Sequence, residues 1–197
     1  MSLRIGILGA ARIAGSFMVG AKAFPRASVV AVACRDRARG EAFAAKHDIA
    51  RTCTYDELIA DRSIDAIYNP LPNSLHAPWS IAAARAGKHV LCEKPIALSE
   101  PEAHTMFAAA DAAGVVMLEA FPYMFQPQTL EIERRIAAGE IGEVRTMFAG
   151  FGFTMRGEHV NDDIRLDPAL GGGALLDVGC YPVSLDRKST RLNSSHI

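Results

Sequence analysis

The stretch Leu3-Arg4-Ile5-Gly6-Ile7-Leu8-Gly9-Ala10-Ala11-Arg12-Ile13-Ala14 decides how this chain folds. Its first half is an apolar run of the length of a buried strand, Gly9 interrupts it, and a helical segment follows. Strand, tight turn and helix in that order build the turn on which a dinucleotide pyrophosphate rests in an open parallel sheet. The first glycine bends the chain, the second position lets backbone approach the phosphates, and a small third residue lets helix pack on strand. The helix N-terminus adds N–H groups and a partial positive charge. Here those positions are Gly9, Ala11 and Ala14, so the second carries one methyl more than glycine and holds the phosphates slightly further out. Gly9, Ala10, Ala11, Arg12, Ile13 and Ala14 are candidate cofactor contacts; a purely structural turn is the competing reading.

Downstream, apolar runs alternate with amphipathic stretches. Strands are expected over residues 28–33, 66–68, 89–92 and 115–118, and helices over 37–47, 54–60, 74–86 and 100–113. That alternation implies an α/β domain, a Rossmann doubly wound parallel sheet covered on both faces. Ligands of such sheets bind beyond the carboxyl ends of the strands, where the loops starting at Gly9, Cys34, Asn69 and Glu93 emerge. Near Phe121 the pattern changes to a helix over 128–138 and an alternating stretch over 144–153, longer than any earlier strand. A glycine-rich loop over 156–173 and a helical segment over 174–183 follow. The expected organisation is a dinucleotide-binding domain over 1–120 and the start of an α+β open-sheet substrate and dimerisation domain over 121–185.

Residues 186–197 break with everything before them. Asp186-Arg187-Lys188-Ser189-Thr190-Arg191-Leu192-Asn193-Ser194-Ser195-His196 reads as the translation of a common sequencing-library adapter, so the native reading is expected to end near Leu185. An ordinary polar tail is the alternative.

The composition removes several classes of function. Acidic and basic residues nearly balance, at a net charge of −1, and are interspersed, so neither nucleic acid nor an anionic membrane is an expected partner. Cys34, Cys53, Cys92 and Cys180 form no C-x-x-C pair and stand at no zinc-ligand spacing to a histidine. They read as buried thiols of a reducing cytoplasm, and no metal is expected. The apolar opening is broken by Gly9, Arg12 and Gly15, unlike a signal peptide, and no run is long enough to span a bilayer.

Three motifs in order carry the chemistry: the Gly9 turn, Glu93-Lys94-Pro95, and Gly171-Gly172-Gly173-Ala174-Leu175-Leu176-Asp177-Val178-Gly179-Cys180-Tyr181. With Pro70-Leu71-Pro72-Asn73-Ser74-Leu75-His76 and Leu118-Glu119-Ala120-Phe121 they make residues 3–185 resemble the glucose-fructose oxidoreductase / inositol dehydrogenase / rhizopine-catabolism (Gfo/Idh/MocA) family of nicotinamide-dependent enzymes. The resemblance implies a substrate held between the two domains against the nicotinamide. It places Lys94 beside the reacting carbon, with a cis bond before Pro95, and draws the acid/base group from the segment Asp177 to Tyr181. A tyrosine at 181, where relatives often carry histidine, resembles the aldose and dihydrodiol dehydrogenase branches. Pro122-Tyr123-Met124-Phe125-Gln126 departs from the arginine and histidine that the aldose branch commonly has there.

The residues support those roles from their own chemistry. Asp177 and Tyr181 stand four apart on an expected helix, hence on one face. Oxidising an alcohol by hydride loss needs a base, and a phenol of unperturbed pKa about 10 starts as phenolate at neutral pH only with help from a nearby cation. Lys94 supplies that cation and Asp177 orients the lysine or the substrate hydroxyl. Local capping by Asp177, a core role for Tyr181 and a merely solvated Lys94 are the bland alternatives.

Coenzyme choice is read after the second strand, at Ala33-Cys34-Arg35-Asp36. A small residue followed by arginine accommodates a 2′-phosphate, so Cys34 and Arg35 favour NADP, with NAD kept as the alternative by Asp36. In the resemblance Leu71, Asn73 and His76 lie along the nicotinamide side; a helix cap is an equal role for Asn73 or Ser74. Glu93 either bonds the carboxamide or holds its loop.

The expected activity is NADP-preferring hydride transfer with a sugar or cyclic diol, of the D-xylose/aldose 1-dehydrogenase or trans-dihydrodiol dehydrogenase type. A glycoside hydrolase using transient oxidation by tightly held NAD, and a non-catalytic dinucleotide sensor, are the alternatives. The resemblance implies a homodimer or larger assembly for a full-length form. It also implies that most of the second sheet would follow Leu185, so poor solubility and no turnover are expected of the 197-residue chain.

Overall fold

The strands β1 (Leu3–Leu8), β2 (Ala27–Ala33), β3 (Arg51–Cys53), β4 (Ala66–Asn69), β5 (His89–Glu93) and β6 (Met117–Ala120) form one sheet in the order β3-β2-β1-β4-β5-β6. Every pairing is parallel. The sheet belongs to a computed structural model that describes residues 2–156, 160 and 163–194. The chain divides into two compact units, Met1–Ala120 and Phe121–Ile197.

In the first unit α1 (Arg12–Ala23), α2 (Arg37–His47), α3 (Tyr55–Ala60), α4 (His76–Arg85) and α5 (Glu100–Ala113) connect the strands. The parallel sheet is buried on both faces, as its near-continuous apolar strands require. Leu8, Ala33, Leu58, Ile67, Val90 and Met106 belong to one core cluster, and Ile5, Ile7, Met18, Val32, Ala44 and Tyr68 to the other. Local chemistry starts the helices. The Asp36 side chain accepts from the Arg39 N–H at 3.0 Å, and Thr54 and Glu57 form a reciprocal capping box. Ser99 caps α5, which Gly114 ends in the left-handed region.

Several elements differ from the sequence expectation. The short strand β3 carries Arg51 and Thr52 and has no apolar run to announce it. The last strand starts at Met117 rather than 115: Val115 N–H closes α5 onto Ala110 O, and Val116 donates its N–H to His89 Nδ1 while its carbonyl accepts from Val90 N–H of β5. Residues 144–153 pair with no other strand among the described residues, so the alternating pattern there forms no ladder.

The second unit has α6 (Pro127–Ala137), a π-helical turn at Leu175–Gly179 and α7 (Cys180–Ser194). The helix expected to stop near residue 183 therefore continues through residue 194. No helix among the described residues is long and apolar enough to cross a membrane.

One buried cation ties the end of the sheet opposite the carboxyl ends. Lys88 is 4% exposed, and its ammonium donates to the carbonyls of Asp61 at 2.6 Å and Ile64 at 3.0 Å. Burial lowers its pKa, with Asp61 and Asp65 opposing. Lys88→Met keeps the stem and strands both carbonyls. The expected cost is about 2–4 kcal/mol, read as a lower urea midpoint at unchanged m-value.

Candidate functional site

Gly9 bridges β1 and α1 at a φ of +88°. Its N–H donates to Ala33 O at 2.6 Å, and a Cβ built on it would stand 3.0 Å from Leu71 Cδ2. The chain passes this point closely because nothing projects from it. Ala11 enters α1 in extended geometry with no side-chain cap, and the first turn holds no acidic residue, so the helix end is open to an anion. Ala14 is fully buried against the sheet, while Arg12 and Ile13 stand exposed on the open side. Ala10 and Ala11 are half-buried between them.

Beyond β2 the chain gathers a basic rim. Cys34 is half-buried, and Arg35 is exposed. Asp36 is occupied as the cap of α2, which draws it away from the ribose role that would favour NAD. Arg39, missed in the sequence, donates through Nη2 to Ala10 O at 2.9 Å and so reaches across the glycine turn. Its signal was its place in the first turn of α2, one helical turn beyond Arg35 in a turn without acidic residues. Tyr55, also missed, sets its ring edge-on to Trp79 at 4.9 Å, with its hydroxyl near Gly9. Burial raises that hydroxyl's pKa, and the Arg35 and Arg39 guanidiniums oppose the rise. Arg39 and Tyr55 thus reach the Gly9 turn, with Arg35 near the Tyr55 hydroxyl.

The third part of the rim is the loop after β5. The Lys94–Pro95 peptide is cis, and Lys94 is half-buried. Three other elements hold the loop. The Ile96 N–H donates to Glu119 of β6 at 2.8 Å, and burial raises that carboxyl's pKa. Tyr68 of β4 donates its hydroxyl to Glu93 at 2.6 Å. His76 places Nδ1 2.7 Å from Pro95 O and Nε2 2.8 Å from Leu71 O.

His76, expected along the nicotinamide side, is 0% exposed, with both ring nitrogens turned to backbone carbonyls. A neutral imidazole donates only one hydrogen bond, and burial pushes the ring's pKa down although both carbonyls oppose this. His76 therefore fastens the Leu71 loop to the Pro95 loop. Asn73 opens a 3₁₀ turn, Asn73–Leu75, and α4 begins after Leu75, which itself makes no side-chain cap. Leu71 is buried under Gly9, its N–H accepted by Asn69 Oδ1 at 3.3 Å.

In the second unit Asp177 lies within the π-helical turn and Tyr181 in the first turn of α7, so they do not share the regular helix that their spacing predicts. Asp177 Oδ2 stands 4.0 Å from Arg165, which also pairs with Asp163 at 2.7 Å. The Tyr181 ring meets Phe121 and Phe151 edge-on, each at 5.3 Å. Beside it opens a cleft of about 410 Å³ lined by Tyr123, Gln126, Phe151, Tyr181 and Leu185. Tyr123 Oη is 2.8 Å from Ser184 Oγ, a polar pair that spacing did not reveal. Lys94 belongs to the first unit and Asp177 and Tyr181 to the second.

Among the described residues no group of three or more His, Cys, Asp or Glu could hold a metal ion. The first unit does fit a dinucleotide: its positive-φ glycine makes a cradle that a Cβ would fill, beside an uncapped helix start and two arginines. Comparison with known proteins agrees. The chain is 43% identical over 186 residues to D-xylose 1-dehydrogenase (NADP(+)) 2 of Haloferax volcanii, covering 94% of this chain and 56% of that protein. It is 38% identical to trans-1,2-dihydrobenzene-1,2-diol dehydrogenase of Danio rerio, covering 92% and 54%. The structure of KijD10, a 3-ketoreductase from Actinomadura kijaniata in complex with NADP and TDP-benzene, superposes with a TM-score of 0.86 at 36% identity, covering 93% and 56%. The chain thus spans about half the length of the curated relatives it matches. Residues 3–121 match the oxidoreductase family with the NAD-binding Rossmann fold and residues 129–190 its C-terminal domain, so the chain belongs to the GFO/IDH/MocA family.

Proposed function

We propose that this chain carries the cofactor half, and the beginning of the substrate half, of an NADP-preferring oxidoreductase acting between a sugar or cyclic diol and a nicotinamide cofactor. The observation that carries the reading is the basic rim around Gly9, where Arg35 and Arg39 stand and Asp36 is withdrawn into a helix cap. A 2′-phosphate there gains charge-assisted hydrogen bonds, whereas a ribose hydroxyl finds no acidic acceptor.

The α1 N-terminus holds the pyrophosphate. When bound, the nicotinamide supplies the hydride acceptor. Lys94 orients the substrate hydroxyl and favours the charged form of Tyr181, which takes the hydroxyl proton; Asp177 orients them. The aromatic wall beside Tyr181 gives a ring-shaped substrate an apolar face to lie on. The same groups serve the reverse reaction on a keto-sugar, consistent with the similarity to a 3-ketoreductase. The four free cysteines suit a reducing cytoplasm, and pairing through the second domain is part of this reading.

Titrating NADP and NAD against the chain at fixed ionic strength tests the carrying observation. NADP is expected to bind at least about tenfold tighter, as one well-placed phosphate contact provides. Equal affinities would overturn the preference. NADP reduction across a panel of aldoses and cyclic diols then assigns the substrate.

A further inference from the structure

Tyr68 poses a question that packing alone does not answer. It lies in the centre of the sheet, on β4 between β1 and β5, and is 2% exposed. Its ring stacks on Phe17 of α1, with centroids 4.1 Å apart and planes at 18°. A phenylalanine would serve that stacking equally well. The hydroxyl is the extra, and a buried hydroxyl is costly unless bonded. Its partner is Glu93 Oε1 at 2.6 Å, while Glu93 Oε2 lies 3.4 Å from the Lys94 N–H. One ring therefore touches the helix whose N-terminus faces the Gly9 turn and also holds the carboxyl next to Lys94. Burial, then Glu93, raises the hydroxyl's pKa, so Tyr68 remains a donor throughout the working range.

We propose that Tyr68 is a positioning residue, which fixes the Glu93 side chain and through it the Glu93-Lys94 backbone, so that the loop meets the nicotinamide half of the cofactor in one set orientation. The inference rests on the dinucleotide reading above. Glu93 is half-buried at the carboxyl end of β5, where ligands of parallel sheets lie. A side chain fixed there loses little entropy when a ligand arrives, which is what preorganisation contributes to affinity. His76 and Glu119 hold the same loop further on, at Pro95 and Ile96. Tyr68 alone among these three engages Glu93 itself.

The test compares two ligands on the 197-residue chain. NADP reaches the nicotinamide end, whereas adenosine 2′,5′-bisphosphate occupies only the adenosine end. Tyr68→Phe is expected to weaken NADP about tenfold, as loss of one charge-assisted hydrogen bond implies, and to leave the bisphosphate within about twofold. In a Glu93→Ala background the same substitution should change NADP affinity no further, since the positioned group is gone. Unchanged NADP affinity in Tyr68→Phe would overturn the proposal. So would equal weakening of both ligands, which reports general damage to the fold, or an undiminished effect in the Glu93→Ala background. A wild-type chain that binds neither ligand overturns the dinucleotide reading and this inference with it; a wild-type chain that binds both isolates Tyr68.

Discussion

Gly9→Val is expected to weaken NADP binding by at least about 100-fold and to lower the stability of the first unit by about 1–3 kcal/mol. Two independent costs combine. The backbone at φ +88° lies where L side chains rarely go, and a β-branched residue is the least tolerant of it. The new side chain also starts 3.0 Å from Leu71 Cδ2. Leu71 cannot swing away freely, because its loop is fastened through its N–H to Asn69 and through its carbonyl to His76. The chain must therefore change course at the point where it faces the phosphates. Gly9→Ala should fall between the two, since it brings the φ penalty and a single methyl. Titration with NADP and urea unfolding of all three chains check the order; valine binding NADP like wild type would remove the turn from the site.

The contrast between what the sequence announced and what it hid follows the range of the interactions. The Gly9 turn is local, set by residues within one turn of each other, and was legible, whereas the Thr54 box and the Gly114 stop, equally local, were not read. The parallel sheet followed because alternating strands and helices leave few topologies open. The contacts that hold Lys94 are different in kind. Tyr68 meets Glu93 across 25 positions, Ile96 meets Glu119 across 23, and His76 meets Pro95 across 19. No periodicity records such pairs, so the bonds of His76 to the Leu71 and Pro95 carbonyls were not legible. Residues 144–153 fail for the same reason: alternation marks a chain suited to a sheet, but a ladder also needs a neighbour. Asp36 was legible as an acid after β2 and not as a cap, because a ribose contact and an Asx cap call for the same residue at nearly the same place.

Lys94→Met should separate binding from chemistry. In a protein carrying the whole substrate domain, hydride transfer from an aldose or diol to NADP is expected to fall about 10²–10⁴-fold, while NADP affinity stays within about threefold. The loop around the substitution supports the split. Glu119 holds the Ile96 N–H, His76 reaches Pro95 O and Tyr68 holds Glu93, and none of these bonds uses the Lys94 side chain. Methionine keeps most of the stem and removes the charge, so the change falls on the reacting end of the site. The pH dependence then tells which task the charge performs. If the ammonium helps Tyr181 give up its proton, its loss moves the acid limb of the rate profile toward the ordinary phenol range near pKa about 10. The variant would then recover activity as pH rises. If the lysine instead donates a proton itself, the alkaline limb of the wild-type profile disappears in the variant and no recovery follows. Lys94→Arg sharpens the distinction, because guanidinium keeps the charge and cannot exchange its proton in this range. An arginine variant well above methionine points to an electrostatic role, and one equal to it points to proton transfer. A methionine variant with unchanged turnover would place Lys94 outside the reaction and leave Glu93-Lys94-Pro95 as a structural turn.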